Sequence, residues 1–178
     1  MPAPATVDDV YDAQFALPYA DEADLAVITE LLGRPTKARA AVAARCPNGL
    51  PTVLRCDPRD IEGKPFPTLF WLCAPVAASK IGGLESTGIM WDLTERLKTD
   101  VALRAAYGAS TERFLALRDR LPGGPLEGDP TQGGMPDRVK CLHALYAHWL
   151  ATGDNPIGAW VAVQLSPMPC HPQCETAS

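Results

Sequence analysis

The stretch MPDRVKCLHALYAHWLATG, residues 135–153, decides the fold. Its apolar residues recur at helical spacing, Pro136 suits the first turn of a helix, and Gly153 stands where a helix ends. The positions opposite the apolar face include small alanines. A helix with an apolar front and an alanine-lined back packs on most sides, so we expect it to be the central element.

The rest of the chain predicts a small sheet and several further helices. Three β-rich runs, residues 38–46, 51–56 and 67–73, predict an antiparallel meander, and Asn48-Gly49 predicts a hairpin turn after the first run. Apolar periodicity predicts helices over residues 21–33, between residues 76 and 121, and over residues 155–165. The fold class is therefore α+β: a single domain with about three antiparallel strands and about five helices.

Length and charge limit the organisation and the location. A chain of 178 residues allows one domain, which we place at residues 21–166, between a flexible N-terminal segment (1–20) and an irregular Cys/Pro-containing tail (167–178). The net charge of -5 argues against general nucleic-acid binding, which needs a clustered basic surface. Without a signal peptide or an apolar run of ~18 residues, we expect a cytoplasmic protein that does not insert into membranes.

The six cysteines can be buried core residues, metal ligands or redox thiols. Cysteine and histidine ligands from separate elements suit zinc or an iron-sulfur cluster. The candidate metal ligands are Cys46, Cys73, Cys141, Cys170 and Cys174. If a metal is bound, we expect Cys46 and Cys141 to hold it, with Cys73 or a tail residue, Cys170, His171 or Cys174, completing the shell.

The segment GGMPDRVK, residues 133–140, predicts an anion site. A glycine-led helix start presents free backbone N–H groups to a phosphate, and Arg138 and Lys140 add positive charge. The candidate ligand-binding residues are Gly133, Gly134, Arg138, Lys140 and His143. The alternative is a plain loop-to-helix junction in which Arg138 pairs with an acidic side chain.

The two histidines of the late helix differ in their expected roles. His148 shares the apolar wall, so we expect it to be buried, hydrogen-bonded and neutral at pH 7. His143 lies beyond the opposite edge and should be more exposed. A catalytic pair of Cys141 with either histidine is disfavoured, since catalytic Cys and His normally meet across a fold rather than along one helix.

Three motifs together resemble a known bacterial family. RCPNGLP (45–51), PFPTLFWLCAP (65–75) and GGMPDRVKCLHALYAHWLATGDNPIG (133–158) are similar to the family called domain of unknown function 501. The family's third-strand motif ends Thr-Cys-Pro, whereas this chain has Cys73-Ala74-Pro75, which moves the cysteine to the other face of a strand. No activity is established for the family, so the resemblance supports the fold and the choice of residues only.

The function that these patterns favour is a non-catalytic regulatory or adaptor module. Its ligand would be a small phosphate-bearing anion or a protein partner. The first alternative is a metal-binding protein with a Cys/His zinc or iron-sulfur site, and the second is a small enzyme with a reactive cysteine. The sequence leaves open whether the protein is an enzyme.

Overall fold

Seven helices pack around a three-stranded antiparallel sheet in the computed structural model, which describes residues 5–167 and residue 171. The elements are α1 (Val7–Ala16), α2 (Glu22–Leu32), β1 (Ala38–Arg45), β2 (Pro51–Asp60), β3 (Phe70–Leu72), α3 (Pro75–Glu85), α4 (Ile89–Thr99), α5 (Val101–Arg120), α6 (Leu142–Thr152) and α7 (Pro156–Gln164). The α+β fold class is confirmed, with two more helices than the sequence predicted.

The sheet follows the predicted meander in the order β1-β2-β3. Gly49 makes the first turn possible because its φ of 84° is a left-handed conformation that favours glycine. β2 lies in the middle and is buried along most of its length, while β3 is a short strand at one edge. The opposite edge is formed by β1.

Alternation along the strands gives the sheet two different faces. One face joins the main hydrophobic core, where β3 residues Phe70 and Leu72 meet α6 and the other helices. The other face carries a smaller cluster under α2, which holds Ile28, Cys56 and Cys73. The sheet therefore separates Cys73 from α6.

Helix α6 is buried on most sides, as its sequence predicts. It ends where Gly153 adopts a φ of 70°, the usual left-handed helix stop. Helix α7 then packs against it closely enough that a Cβ on Gly158 would lie 2.2 Å from the Leu145 carbonyl oxygen. The close approach of α6 and α7 therefore requires a glycine at position 158.

His148 anchors α6 to its neighbours. Its ring is fully buried, stacks on Phe70 with 5.1 Å between ring centroids, and lies 2.6 Å from the Tyr11 hydroxyl. Its other ring nitrogen, Nδ1, lies 3.2 Å from the Asn155 side-chain nitrogen. The burial and hydrogen bonding predicted for His148 are confirmed, and Tyr11 of α1 and Asn155 of α7 supply the partners.

The cap of α7 determines which nitrogen of His148 carries the proton. Asn155 Oδ1 accepts the Gly158 N–H at 2.8 Å, so the amide NH2 of Asn155 donates to His148 Nδ1. His148 Nε2 therefore carries the hydrogen and donates to Tyr11, whose hydroxyl donates in turn to Asp154 at 3.0 Å. Burial lowers the pKa of His148 to about 3, although Asp154 acts in the opposite direction, so the ring is neutral at pH 7.

The flexible segment expected over residues 1–20 is wrong for residues 7–16, which form α1. A capping box between Thr6 and Asp9 begins this helix, and its inner face buries Tyr11 and Gln14. Gln14 Nε2 donates to the Ala151 carbonyl at 2.9 Å. Two long-range polar contacts thus order a helix whose own apolar pattern is weak, and the domain begins earlier than residue 21.

Within the described residues, none of the helices combines the length and the apolar character needed to cross a membrane.

The glycine at the α6–α7 contact gives a stability test. Gly158→Ala should destabilise the protein by about 1–3 kcal/mol, because the new methyl group collides with the α6 backbone. Gly108→Ala in α5 is the matched control, since nothing lies within 4 Å of its Cβ position, and it should stabilise by ~0.5–1 kcal/mol. Urea unfolding of both variants checks this, and equal effects would contradict the close approach.

His148 predicts a pH dependence. Its pKa is depressed in the folded state, so the unfolded chain binds the proton first as the pH falls. The free energy of unfolding therefore decreases below the unfolded pKa of about 6.5. Between pH 6.5 and 5, wild-type stability should fall by up to ~2 kcal/mol more than that of His148→Gln. Urea unfolding at both pH values measures the difference, and parallel losses would show that the ring titrates normally.

Candidate functional site

The segment before α6 is not the helix start that the sequence predicted. Residues 136–141 lie outside the helix, α6 begins at Leu142, and Cys141 is its N-cap residue. Gly133 and Gly134 adopt φ values of 65° and 91°, and the Lys140 N–H donates to the Gly133 carbonyl at 2.7 Å. The segment forms turns instead of a helix because its backbone bonds close on the two glycines.

A carboxylate from another helix occupies the N-terminus of α6. Glu85, the last residue of α3, accepts the Leu142 N–H at 2.6 Å. The same oxygen lies 3.2 Å from Nδ1 of His143. Glu85 therefore supplies the anion that the positive end of the helix favours.

Hydrogen bonds fix the orientation of the His143 ring. Its Nε2 lies 2.9 Å from the Ala78 carbonyl of α3, which can only accept, so Nε2 carries a hydrogen. The other nitrogen, Nδ1, is directed toward Glu85. One ring nitrogen is thus tied to the backbone while the other faces two ligand-type side chains, Glu85 and Cys141.

Glu85, Cys141 and His143 form a cluster whose nitrogen, sulfur and oxygen atoms all lie within 4.8 Å of one another. All three residues are half-buried. The hydrogen bond with Cys141 raises the pKa of His143 to about 9, aided by the Ala78 carbonyl and the Glu85 charge and opposed by burial. In the metal-free protein His143 is therefore a cation at pH 7, which places a positive ring between a carboxylate and a sulfur.

The cluster opens into a cleft of about 350 Å³ between β3 and the start of α6. Cys141 and His143 form part of its wall. The remaining lining residues are Thr68, Phe70, Trp71, Leu72, Gln132, Gly133 and Ala144. A molecule in this cleft would contact both the sulfur and the imidazole.

The predicted anion-binding residues are only partly brought together. Gly133 and His143 line the cleft, whereas Arg138 and Lys140 are exposed and do not line it. Gly134 packs against the Arg138 backbone beside it. The anion site was motivated by a helix start at Pro136, and that predicted start is wrong. The helix begins at Leu142, and the carboxylate of Glu85 already accepts its first N–H. The anion ligand stays a prediction without that support.

The predicted metal ligands are also separated. Cys46 follows β1 at the far edge of the sheet from β3, and it is not part of the cluster in the described residues. Cys73 lies on the other face of the sheet, where burial raises the pKa of its thiol to about 12. Cys170 and Cys174 lie outside the described residues. Of the expected set, Cys141 alone is placed in the cluster of the described chain.

Glu85 is the residue that sequence reasoning missed. It stands 57 positions before Leu142, at the end of a helix whose glycines weaken its pattern. No motif joins it to Cys141 and His143. The sequence predicts Cys141 and His143 on opposite edges of one helix, which is wrong, because Cys141 is the N-cap residue outside α6 and its sulfur lies beside His143. Packing of α3 against α6 adds the carboxylate.

The fold and the cluster define a class of protein: a small α+β domain with a Cys/His/Glu group at the mouth of a cleft. The family model "Protein of unknown function (DUF501)" matches residues 42–163, more than half of the chain, so the chain belongs to this family. No curated protein and no solved structure matches this chain. All three residues of the cluster lie inside the matched region, and the resemblance noted from the motifs is confirmed.

The cluster makes a prediction about proton binding. In protein treated with a chelator, His143 should titrate near pH 9, and Cys141→Ala should lower that pKa because it removes the largest stabilising contact of the imidazolium. Proton NMR of the imidazole ring measures both values. Cys73→Ala is the matched control, since its sulfur lies on the other face of the sheet. An unchanged pKa of His143 in Cys141→Ala would contradict the contact between the two side chains.

Proposed function

We propose that this protein binds a zinc ion through Glu85, Cys141 and His143. The observation that carries the proposal is the convergence of one carboxylate, one sulfur and one imidazole nitrogen within 4.8 Å from two different helices. Zinc bonds are ~2.0–2.3 Å long, so three ligand atoms at this spacing can close on one ion with small side-chain shifts.

The environment of His143 supports a metal ligand. Histidines that bind metals usually donate their second ring N–H to a carboxylate or a backbone carbonyl, which orients the ring. The Ala78 carbonyl provides this contact to Nε2, so Nδ1 is the nitrogen that would bind the ion in place of its proton. Glu85 has two carboxylate oxygens and can keep the Leu142 N–H while binding the ion.

The donor set favours zinc over an iron-sulfur cluster. Such clusters need about four ligands, mostly thiolates, and the group found in the described residues contains one cysteine. A mixed set of sulfur, nitrogen and oxygen suits zinc. The iron-sulfur alternative would require further cysteines from outside the described part of the chain.

Three protein ligands leave a fourth position for water, a bound molecule or another side chain. Cys141 and His143 line the cleft, so the cleft gives access to that position. Zinc sites with three protein ligands and an open position polarise what binds there, whereas four-ligand sites are structural. The regulatory or adaptor role expected from the sequence is compatible with either use of the ion.

A second candidate, a reactive thiol, rests on the position of Cys141 itself. Cys141 is the N-cap residue of α6, lies beside His143 and lines the cleft, so a molecule in the cleft would meet its sulfur.

Metal analysis of the purified protein tests the zinc site. Wild-type protein should hold about one equivalent of zinc after dialysis, whereas Cys141→Ala and His143→Gln should hold almost none. Cys46→Ala is the matched control and should keep its zinc, because Cys46 lies outside the cluster. Added Zn²⁺ should also raise the melting temperature of the metal-free protein, since a ligand at 100 times its dissociation constant stabilises by ~2.7 kcal/mol.

The same samples separate the two candidates. If zinc is bound, it should slow alkylation of Cys141 by iodoacetamide, as followed by mass spectrometry. Loss of zinc in Cys46→Ala but not in His143→Gln would restore the ligand set predicted from the sequence. Rapid alkylation that zinc does not change, with no zinc retained, would replace the metal proposal with the reactive thiol.

A further inference from the structure

Helix α3 has few local features that stabilise a short helix. Its N-cap residue, Ala74, makes no side-chain hydrogen bond, and α3 has neither an acidic residue in its first turn nor a basic residue in its last turn. Gly82 and Gly83 lie near its end, although neither has a positive φ and a Cβ at either position would meet nothing within 4 Å. Packing therefore does not require these glycines, and each shifts the helix–coil equilibrium ~2–5-fold away from the helix, compared with alanine.

The last residue of α3 also acts against its own helix. Glu85 ends α3, so its carboxylate lies at the negative end of that helix dipole. The same carboxylate accepts the Leu142 N–H at the positive end of α6. Glu85 therefore stabilises α6 at the expense of α3, and the last turn of α3 depends on this contact for its position.

Few contacts hold α3 against the rest of the domain. Two of its side chains are buried, Ala77 and Ile81. In the described chain, its polar contacts with α6 are those of Glu85 with the first N–H of α6 and with His143 Nδ1, and that of the Ala78 carbonyl with His143 Nε2. All three lie at the cluster. A weak helix with a small apolar anchor opens at a lower free energy than the whole domain, so the contacts at the cluster decide whether α3 stays closed.

We infer that α3 is a clasp over the cluster, which opens from α6 as a unit and by opening releases the metal ion. Opening removes Glu85, one of the three ligands, from the cluster. It also removes the Ala78 carbonyl that orients the ring of His143, a second ligand. An ion that loses one ligand and the orientation of another is held by Cys141 alone with its full geometry, and it dissociates.

The ion and the clasp control each other. A bound ion joins Glu85 of α3 to His143 of α6, so it holds the clasp closed, and the clasp in turn sets how fast the ion leaves. The release of the ion rests on the proposed zinc site. The opening of α3 rests on the weakness of this helix and its few contacts, which are present without a metal.

Hydrogen exchange of the whole metal-free protein, followed by mass spectrometry, measures the opening of α3. After correction for intrinsic exchange rates, Gly82→Ala combined with Gly83→Ala should slow exchange in α3 at least fivefold, because both changes favour the helix. Gly108→Ala in α5 is the matched control, since its Cβ also meets nothing within 4 Å, and it should leave α3 unchanged. His143→Ala removes two of the three polar contacts and should speed exchange in α3 at least fivefold.

Zinc release measures the other half of the inference. When zinc-loaded protein is mixed with the chromophoric chelator 4-(2-pyridylazo)resorcinol, the double alanine variant should release zinc at least fivefold more slowly than wild type, and Gly108→Ala should release it at the wild-type rate. Free Zn²⁺ at 100 times its dissociation constant should slow exchange in α3 ~100-fold, because α3 can open only after the ion leaves. Exchange in α2, on the other face of the sheet, should not change.

The two proposals fail separately. Zinc that binds but leaves at a rate unaffected by the double alanine variant would keep the zinc site and overturn the clasp. Exchange in α3 that matches exchange in α6, or that the double alanine variant does not slow, would also overturn it, because α3 would then open only with the whole domain. If no zinc binds, the zinc proposal and the release of the ion fall together, whatever α3 does in the metal-free protein.

Discussion

The structure depends on burying α6 without leaving its polar groups unpaired. His148 shows this constraint most clearly, because its ring is buried in the core and both of its nitrogens need hydrogen-bond partners. Asn155 and Tyr11 meet the need from α7 and α1, and Asn155 also caps α7. One set of hydrogen bonds therefore fixes the protonation of the histidine and the positions of three helices.

The candidate site lies at the other end of the same helix, its N-terminus. Because α6 begins at Leu142, its first N–H groups face α3, and Glu85 satisfies one of them. That contact brings a carboxylate beside Cys141 and His143. The core end of α6 is thus closed by hydrogen bonds, while its N-terminal end leaves ligand atoms accessible from a cleft.

Local signals predicted much of the fold. The Asn48-Gly49 turn and the helix stop at Gly153 appear where short-range chemistry placed them. Helix α1 was missed because its order comes from Tyr11 and Gln14 reaching α6, far away in the chain. The start of α6 was misplaced because Pro136 is compatible with a helix, yet backbone bonds to two glycines form turns there.

The sequence by itself determined that α6 is the buried centre and that His148 is neutral inside the core. Periodicity and side-chain polarity decide such properties within one helix. Only the tertiary structure decided that Glu85, Cys141 and His143 come together, that Cys73 is turned away, and that a cleft beside β3 reaches Cys141 and His143. Those facts depend on which elements pack together, and residues 57 positions apart share no local sequence pattern that predicts their contact.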